Sequence, residues 1–179
     1  MIRKFVVLLV ILLMVGMLSS AFAQYEEDKP SKYGIRVVGF VPFEPALKDL
    51  KAPWIGAGAD WYLKYDEDGY PTSYISIFML SASDLSTRAS IVPITYTRLN
   101  RKLISPSRSS YFGYGVGINR LEAKSGGVQN TTLTPSIHAL YGQEFGNGIF
   151  IELGTELRSN WSNVNWSGWF LSIGSRISM

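Results

Sequence analysis

Apolar and polar residues alternate with a period of two through most of the chain beyond residue 32. In residues 54–65, one parity is apolar and the opposite parity carries glycine, Asp60, Tyr62 and Lys64. Residues 111–122 and 149–158 repeat this design. Because successive side chains of a strand point to opposite faces, the pattern predicts strands with one apolar face and one polar or glycine-rich face.

Eight segments of the chain are predicted to be strands. They are residues 34–43, 54–65, 73–81, 87–100, 111–122, 135–145, 149–158 and 165–179. Residues 73–81 and 87–100 have apolar residues on both parities, so alternation assigns them no facing. Strands of about 10 residues suit a tilted crossing of a membrane. We therefore expect an all-β protein: an eight-stranded antiparallel transmembrane up-and-down barrel, closed by pairing of the first strand with the last.

The connections between these strands predict an orientation. Residues 145–149, Phe-Gly-Asn-Gly-Ile, read as a tight hairpin. Membrane barrels have short turns on the periplasmic side, and this hairpin falls there if both termini are periplasmic. Residues 122–134 and 159–164 are then external loops. Residues 100–109 are long for a periplasmic turn, and residues 81–86 are short for an external loop.

The first residues read as a targeting segment. Arg3 and Lys4 precede an apolar run over residues 5–18, and small residues follow up to an Ala-Phe-Ala exit. This layout is typical of a secretory signal peptide, and the run is shorter than the about 20 residues of a membrane-spanning helix. We expect a cleaved signal peptide over residues 1–23, a flexible lead over residues 24–32 and a barrel domain over residues 33–179.

Composition excludes several kinds of chemistry. The chain has no cysteine and one histidine, so disulfides, Cys-ligated metals and His-rich metal sites are ruled out. Charged residues make up 17% of the chain and the net charge is +3, which gives no basic patch for a nucleic acid. The sequence predicts no catalytic, cofactor or metal site.

The apolar faces favour lipid over a soluble interior. An eight-stranded barrel is only wide enough for packed side chains or one small ligand, so it cannot enclose all of the aromatic residues. Aromatic residues near the ends of the apolar rows are predicted to form interfacial girdles. They are Trp61, Tyr65, Phe112, Tyr141, Phe145 and Trp169. The alternative is a secreted, lipocalin-like cup with the apolar faces turned inward.

Charged residues take the parity opposite to the apolar rows and are therefore assigned to the lumen. They are Arg36, Asp60, Glu144, Glu152, Glu156, Arg158 and Arg176. An unpaired buried charge is very costly, so these side chains must pair. We interpret them as a structural salt-bridge network, with a proton or ion relay as the alternative. Arg176 is expected to pair with one or more of the glutamates.

Two further groups of residues are open to a functional reading. Ser136 and His138 share a face with the glutamates, so a Ser/His/Glu hydrolase triad is one hypothesis. One strand cannot supply the geometry of such a triad. Trp161, Asn163 and Trp166 lie in the last external connection. They suit either a platform that binds sugar or a surface, or an interfacial anchor.

Three stretches carry a resemblance to known proteins. They are the Tyr-Phe-Gly-Tyr-Gly-Val-Gly run at residues 111–117, the hairpin over residues 141–152 and the alternating C-terminal stretch 172–179. The sequence resembles the small outer-membrane β-barrel families, such as the OmpX- or OmpW-like barrels. Those families usually end in an aromatic residue, whereas this chain ends in Met179.

The resemblance implies a bacterial outer-membrane location. It also implies contact with outer-membrane lipid including lipopolysaccharide, recognition of the C-terminal strand by the barrel-assembly machinery, and a monomer without cofactor. Some barrels of this size are lipid A deacylases or acyltransferases. The deacylases have a His-x-Ser order, and this chain has Ser136-Ile137-His138 instead.

We therefore expect a non-enzymatic envelope barrel with a structural, adhesion or interaction, or small-solute role. The alternatives are a lipid A-modifying hydrolase or acyltransferase, and a carrier or channel for small hydrophobic ligands.

Overall fold

A computed structural model describes residues 30–48, 50, 54–83, 87–105, 107–125, 127–146 and 148–177. The predicted signal peptide and residues 24–29 of the predicted lead lie outside the described residues. In residues 30–32, the carbonyl oxygens of Ser31 and Lys32 accept hydrogen bonds from the Tyr65 hydroxyl and the Tyr62 amide, at 2.9 and 3.0 Å.

Eight antiparallel strands close into a barrel in sequence order, as predicted. The strands are β1 (Tyr33–Pro42), β2 (Trp54–Tyr65), β3 (Pro71–Ser83), β4 (Thr87–Ser105), β5 (Arg108–Ser125), β6 (Val128–Phe145), β7 (Ile149–Arg158) and β8 (Gly168–Ile177). A four-residue helix, α1 (Pro45–Lys48), follows β1. Pairing of β1 with β8 closes the ring. No helix among the described residues is long and apolar enough to cross a membrane.

The middle strands are longer than predicted. Residues 100–109, predicted as a long connection, instead extend β4 to Ser105 and begin β5 at Arg108. Residues 122–134 are predicted as an external loop, but within them residues 122–125 and 128–134 continue the ladder between β5 and β6. Alternation of side chains does not report these extensions, because beyond the barrel wall both faces of a strand are free to be polar while the backbone pairing continues. The last strand begins at Gly168 rather than at residue 165.

Burial alternates along the strands and gives each strand a facing. Glu152, Glu156 and Arg158 on β7 are buried, while Leu153 and Leu157 between them are about half exposed. The exposed outward side chains form what we call the apolar belt. Its members are Ile55, Trp61, Leu63, Ile77, Met79, Ile94, Tyr96, Phe112, Tyr114, Val116, Ile118, Ile137, Tyr141, Ile151, Leu153, Leu157, Trp169 and Leu171.

Glycines on the inward parity make room for large neighbours across the strand pair. Gly142 lies opposite Tyr111, and a Cβ atom built on this glycine would lie 2.4 Å from the tyrosine ring. Gly174 has the same relation to Phe150, at 2.3 Å. The lumen therefore holds aromatic rings at the positions where the facing residue has no side chain.

Apolar side chains fill the end of the barrel that carries α1. This cap consists of Leu47, Leu50, Trp54, Leu80, Ile91, Leu121 and Trp166. The rings of Trp54 and Trp166 meet edge to face at 6.1 Å, and Trp166 is 3% exposed. Trp166 thus does not belong to an exposed platform, because the connection between β7 and β8 turns its ring into the mouth of the barrel.

Candidate functional site: the charged lumen

An arginine from β1 joins two carboxylates at the centre of the lumen. Arg36 donates to the Asp60 carboxylate through Nε at 2.9 Å and Nη2 at 2.6 Å, and to Glu152 through Nη1 at 2.7 Å. These residues come from β1, β2 and β7, and all are at most 5% exposed. Both bonds to Asp60 end on Oδ2, and because they come from two nitrogens of the planar guanidinium group, they fix its orientation. We call these residues the central cluster.

Hydroxyl groups satisfy the remaining oxygens of the two carboxylates. Tyr111 and Tyr74 donate to Glu152 Oε1 at 3.0 and 3.3 Å, and Ser172 donates to its Oε2 at 3.1 Å. Ser76 donates to Asp60 Oδ1 at 2.6 Å. Neutral hydroxyl donors therefore complete the hydrogen bonding of both carboxylates. Sequence alternation does not predict which acid each of these hydroxyl groups contacts.

A second ion-pair cluster lies at the end of the barrel where β1 begins and β8 ends. Glu144 pairs with Arg101 at 2.9 Å and also with Arg176. Arg176, predicted to pair with a glutamate, contacts Glu144 and not Glu152 or Glu156 among the described residues. Arg101 was not predicted for the lumen, because the sequence pattern predicts a connection over residues 100–109, whereas the structure continues β4 through Arg101.

A third cluster lies beneath the cap. Arg158 donates to Glu156 Oε2 at 2.6 Å, to Asn119 Oδ1 at 3.1 Å and to the backbone oxygen of Trp166 at 2.7 Å. The last contact ties the connection between β7 and β8 to the lumen wall. All seven residues predicted for the lumen thus lie inside the barrel, but in separate clusters rather than in one continuous network.

A small cavity separates the central cluster from the third cluster. Its volume is about 20 Å³, and its lining includes Arg36, Tyr74, His138 and Glu156. His138 Nδ1 and Glu156 Oε1 are buried and find no partner in the described part of the chain. A volume of this order holds about one water molecule.

Ser136 and His138 do not hydrogen-bond to each other in the described part of the chain. His138 Nε2 lies 2.9 Å from Thr97 Oγ1, and Ser136 Oγ has no hydrogen-bond partner in the described residues. In the β6–β7 register, Ser136 faces Arg158 and His138 faces Glu156. Both side chains are less than 10% exposed and point into the lumen.

The predicted girdle residues occupy different environments. Trp61, Phe112, Tyr141 and Trp169 are 50–56% exposed on the outer wall. Phe145 is half-buried, with the Arg108 guanidinium 6.0 Å from its ring centre. Tyr65 does not follow the predicted facing: register shifts at Lys64 turn it so that its ring packs against the buried core.

No protein-family model matches the sequence, and no curated protein shows significant similarity to it. Solved structures do resemble the fold. The N-terminal β-barrel domain of Pseudomonas aeruginosa OprF is 11% identical with a TM-score of 0.52, over 82% of this chain and 97% of that one. Neisserial surface protein A is 12% identical with a TM-score of 0.53, over 83% and 98%. The chain has the fold of the small eight-stranded outer-membrane β-barrels.

Proposed function

We propose that the protein is an integral outer-membrane barrel with a closed lumen and a non-enzymatic, structural or interaction role in the cell envelope. One observation carries the proposal: ion pairs fill the interior while the apolar belt faces outward. A soluble barrel has an apolar interior and a polar outer surface. Moving a large apolar side chain out of water contributes about 1.5–3 kcal/mol, so the belt favours lipid strongly.

The two ends of the barrel suggest the orientation. The β2–β3, β4–β5 and β6–β7 connections lie at the end of the barrel where β1 begins and β8 ends. Short turns are typical of the periplasmic side. The end with the cap and the longer connections at residues 43–53 and 159–167 then faces outside the cell.

The hairpin of β5 and β6 supplies the surface for an interaction role. Its outer part pairs over Glu122↔Thr131 up to Ser125↔Val128, well beyond the start of the β6–β7 register at Ser136. Val128 and Leu133 are 63% and 69% exposed there. We propose that this hairpin stands above the external face of the membrane and contacts other molecules of the cell surface.

Two observations weigh against the alternative roles. A lipid A-modifying enzyme must present its nucleophile to lipid, whereas Ser136 and His138 point into the lumen. A solute channel needs a continuous path, whereas the ion-pair clusters and the cap occupy the lumen of the described residues.

Heat-modifiable gel migration tests the membrane barrel. Residues 24–179, refolded in detergent or phospholipid vesicles, should run faster unheated than after boiling and should show β circular dichroism. A chain that stays monomeric and soluble without detergent would contradict the proposal.

Mass spectrometry of lipid A tests the non-enzymatic role. Lipid A from cells with the protein, without it, and with Ser136→Ala or His138→Ala should be identical. Acylation that changes with the protein and reverts with His138→Ala would establish an enzyme instead.

A further inference from the structure

A groove on the outer wall, close to the turn at residues 66–70, has a mostly polar and charged lining, unlike the neighbouring apolar belt. It has a volume of about 430 Å³. Its lining consists of Lys64, Asp66, Thr72, Ser73, Tyr96, Arg98, Leu99, Asn100 and Arg101. We call it the rim groove. Cationic and hydroxyl groups dominate it, directly below apolar residues of the belt.

The strand register places two cations on either side of a hydroxyl group. Lys64 on β2 pairs with Ser73 on β3, and Ser73 pairs with Arg98 on β4. Adjacent strands lie about 4.8 Å apart, so the two cationic side chains start about 10 Å from each other and can converge on one anion. Both are exposed, and neither forms an ion pair within the described ranges.

Two buried polar groups that line the groove lack partners. Ser73 Oγ and Arg101 Nε are buried and have no hydrogen-bond partner among the described residues. Leaving such a group unsatisfied costs about 1–3 kcal/mol. Arg101 turns into the lumen, where it pairs with Glu144, so Ser73 is the buried group that shares the outer face with Lys64 and Arg98. Ser73 lies between Lys64 and Arg98 in the register, so an anionic oxygen held by these two cations would also accept from Ser73 Oγ.

Asp66, the acidic residue in the lining of the groove, forms hydrogen bonds within the turn at residues 66–70. Asp66 Oδ1 accepts the backbone N–H of Tyr70 at 2.8 Å, and the Asp66 amide donates to the Tyr70 carbonyl at 2.9 Å. Asp66 keeps its negative charge, and Lys64 and Arg98 outweigh it, so these three side chains together carry a charge of +1.

Above the groove, the belt offers a surface for acyl chains. Trp61, Ile77 and Ile94 are 48–56% exposed on β2, β3 and β4. A ligand with a phosphate at one end and hydrocarbon at the other matches this succession. We propose that the rim groove binds the phosphodiester of an anionic phospholipid of the periplasmic leaflet; this inference rests on the proposed membrane insertion.

The test is native mass spectrometry of the folded protein released from detergent micelles. The probes are phosphatidylglycerol and phosphatidylcholine with identical acyl chains. Phosphatidylglycerol should bind at least tenfold more tightly, because choline carries a cation into a cationic groove. Lys64→Gln/Arg98→Gln should lower phosphatidylglycerol affinity about tenfold or more. Inorganic phosphate at millimolar concentration should not displace the lipid.

Arg88→Gln/Arg120→Gln is the matched control, because it removes two outward arginines at the opposite end of β4 and β5. This control should bind phosphatidylglycerol like the parent. Equal losses in both double variants would mean unspecific charge attraction, and displacement by phosphate would mean a free-anion site; either result overturns the proposal.

The heat-modifiable band is recorded first for every variant. A chain that never gives this band in vesicles refutes membrane insertion and the lipid site together. A chain that inserts but shows no lipid preference refutes the rim groove alone.

Discussion

Replacing Arg36 by methionine should destabilise the barrel more than the loss of any surface charge. The substitution keeps much of the side-chain volume but leaves Asp60 and Glu152, both 2% exposed, without a cation. Removing one partner of a buried ion pair typically costs about 3–5 kcal/mol. The guanidinium also lies 5.2 Å from the ring centres of Tyr74 and Phe150, and these contacts are lost as well. We expect a loss of about 3–5 kcal/mol in the free energy of unfolding.

The assay is urea unfolding in phospholipid vesicles, followed by tryptophan fluorescence and by the heat-modifiable gel band. Arg120→Met is the control, because its pair with Glu122 is exposed and should contribute about 0–1 kcal/mol. The triple variant Arg36→Met/Asp60→Asn/Glu152→Gln removes the unpaired charges and should recover most of the loss.

Equal unfolding midpoints for Arg36→Met and Arg120→Met would refute the reasoning. So would a triple variant that is no more stable than Arg36→Met, because the loss would then come from packing rather than from unpaired carboxylates.

Two further predictions concern the packing and pairing of the lumen. Gly142→Ala should destabilise by about 1–3 kcal/mol in the same urea assay, because its Cβ would enter a tyrosine ring, whereas Gly39→Ala on the outer wall has open space to 3.9 Å and should be nearly neutral. The double variant Arg101→Leu/Arg176→Leu should lose more unfolding free energy than the sum of the losses of the two single variants, because Glu144 keeps one cation until both arginines are gone. Strict additivity of these free energies would contradict the shared pairing.

The strand count and the inward charges could be predicted because period-two alternation reports directly on which face a side chain takes. Glu152 and Glu156 alternate with leucines, so their burial follows from parity alone. The clusters could not be predicted, because the partner of each charge depends on the register between strands distant in sequence. Arg36 and Glu152 meet only because β1 and β7 both flank β8.

The sequence pattern does not predict where the long strands end or which residues form the cap. Beyond the barrel wall, the residues of β5 and β6 show no apolar row, although backbone pairing continues to Ser125 and Val128. The facing of Tyr65 depends on a bulge at Lys64, which leaves no trace in composition. The sequence places Trp166 next to a loop, whereas its burial depends on Trp54 at the start of β2.

The lipid exposure of the apolar belt is tested most directly by spin labels, since the chain has no cysteine of its own. Single cysteines at Val116, Ile118 and Leu153 in the belt, and at Val128 on the hairpin, would carry a nitroxide in vesicles. These positions are 56–63% exposed, so the label fits without repacking. We predict that oxygen relaxes the belt labels and a water-soluble nickel chelate does not, with the reverse at Val128. Belt labels that respond to the nickel chelate as strongly as Val128 does would contradict a membrane barrel.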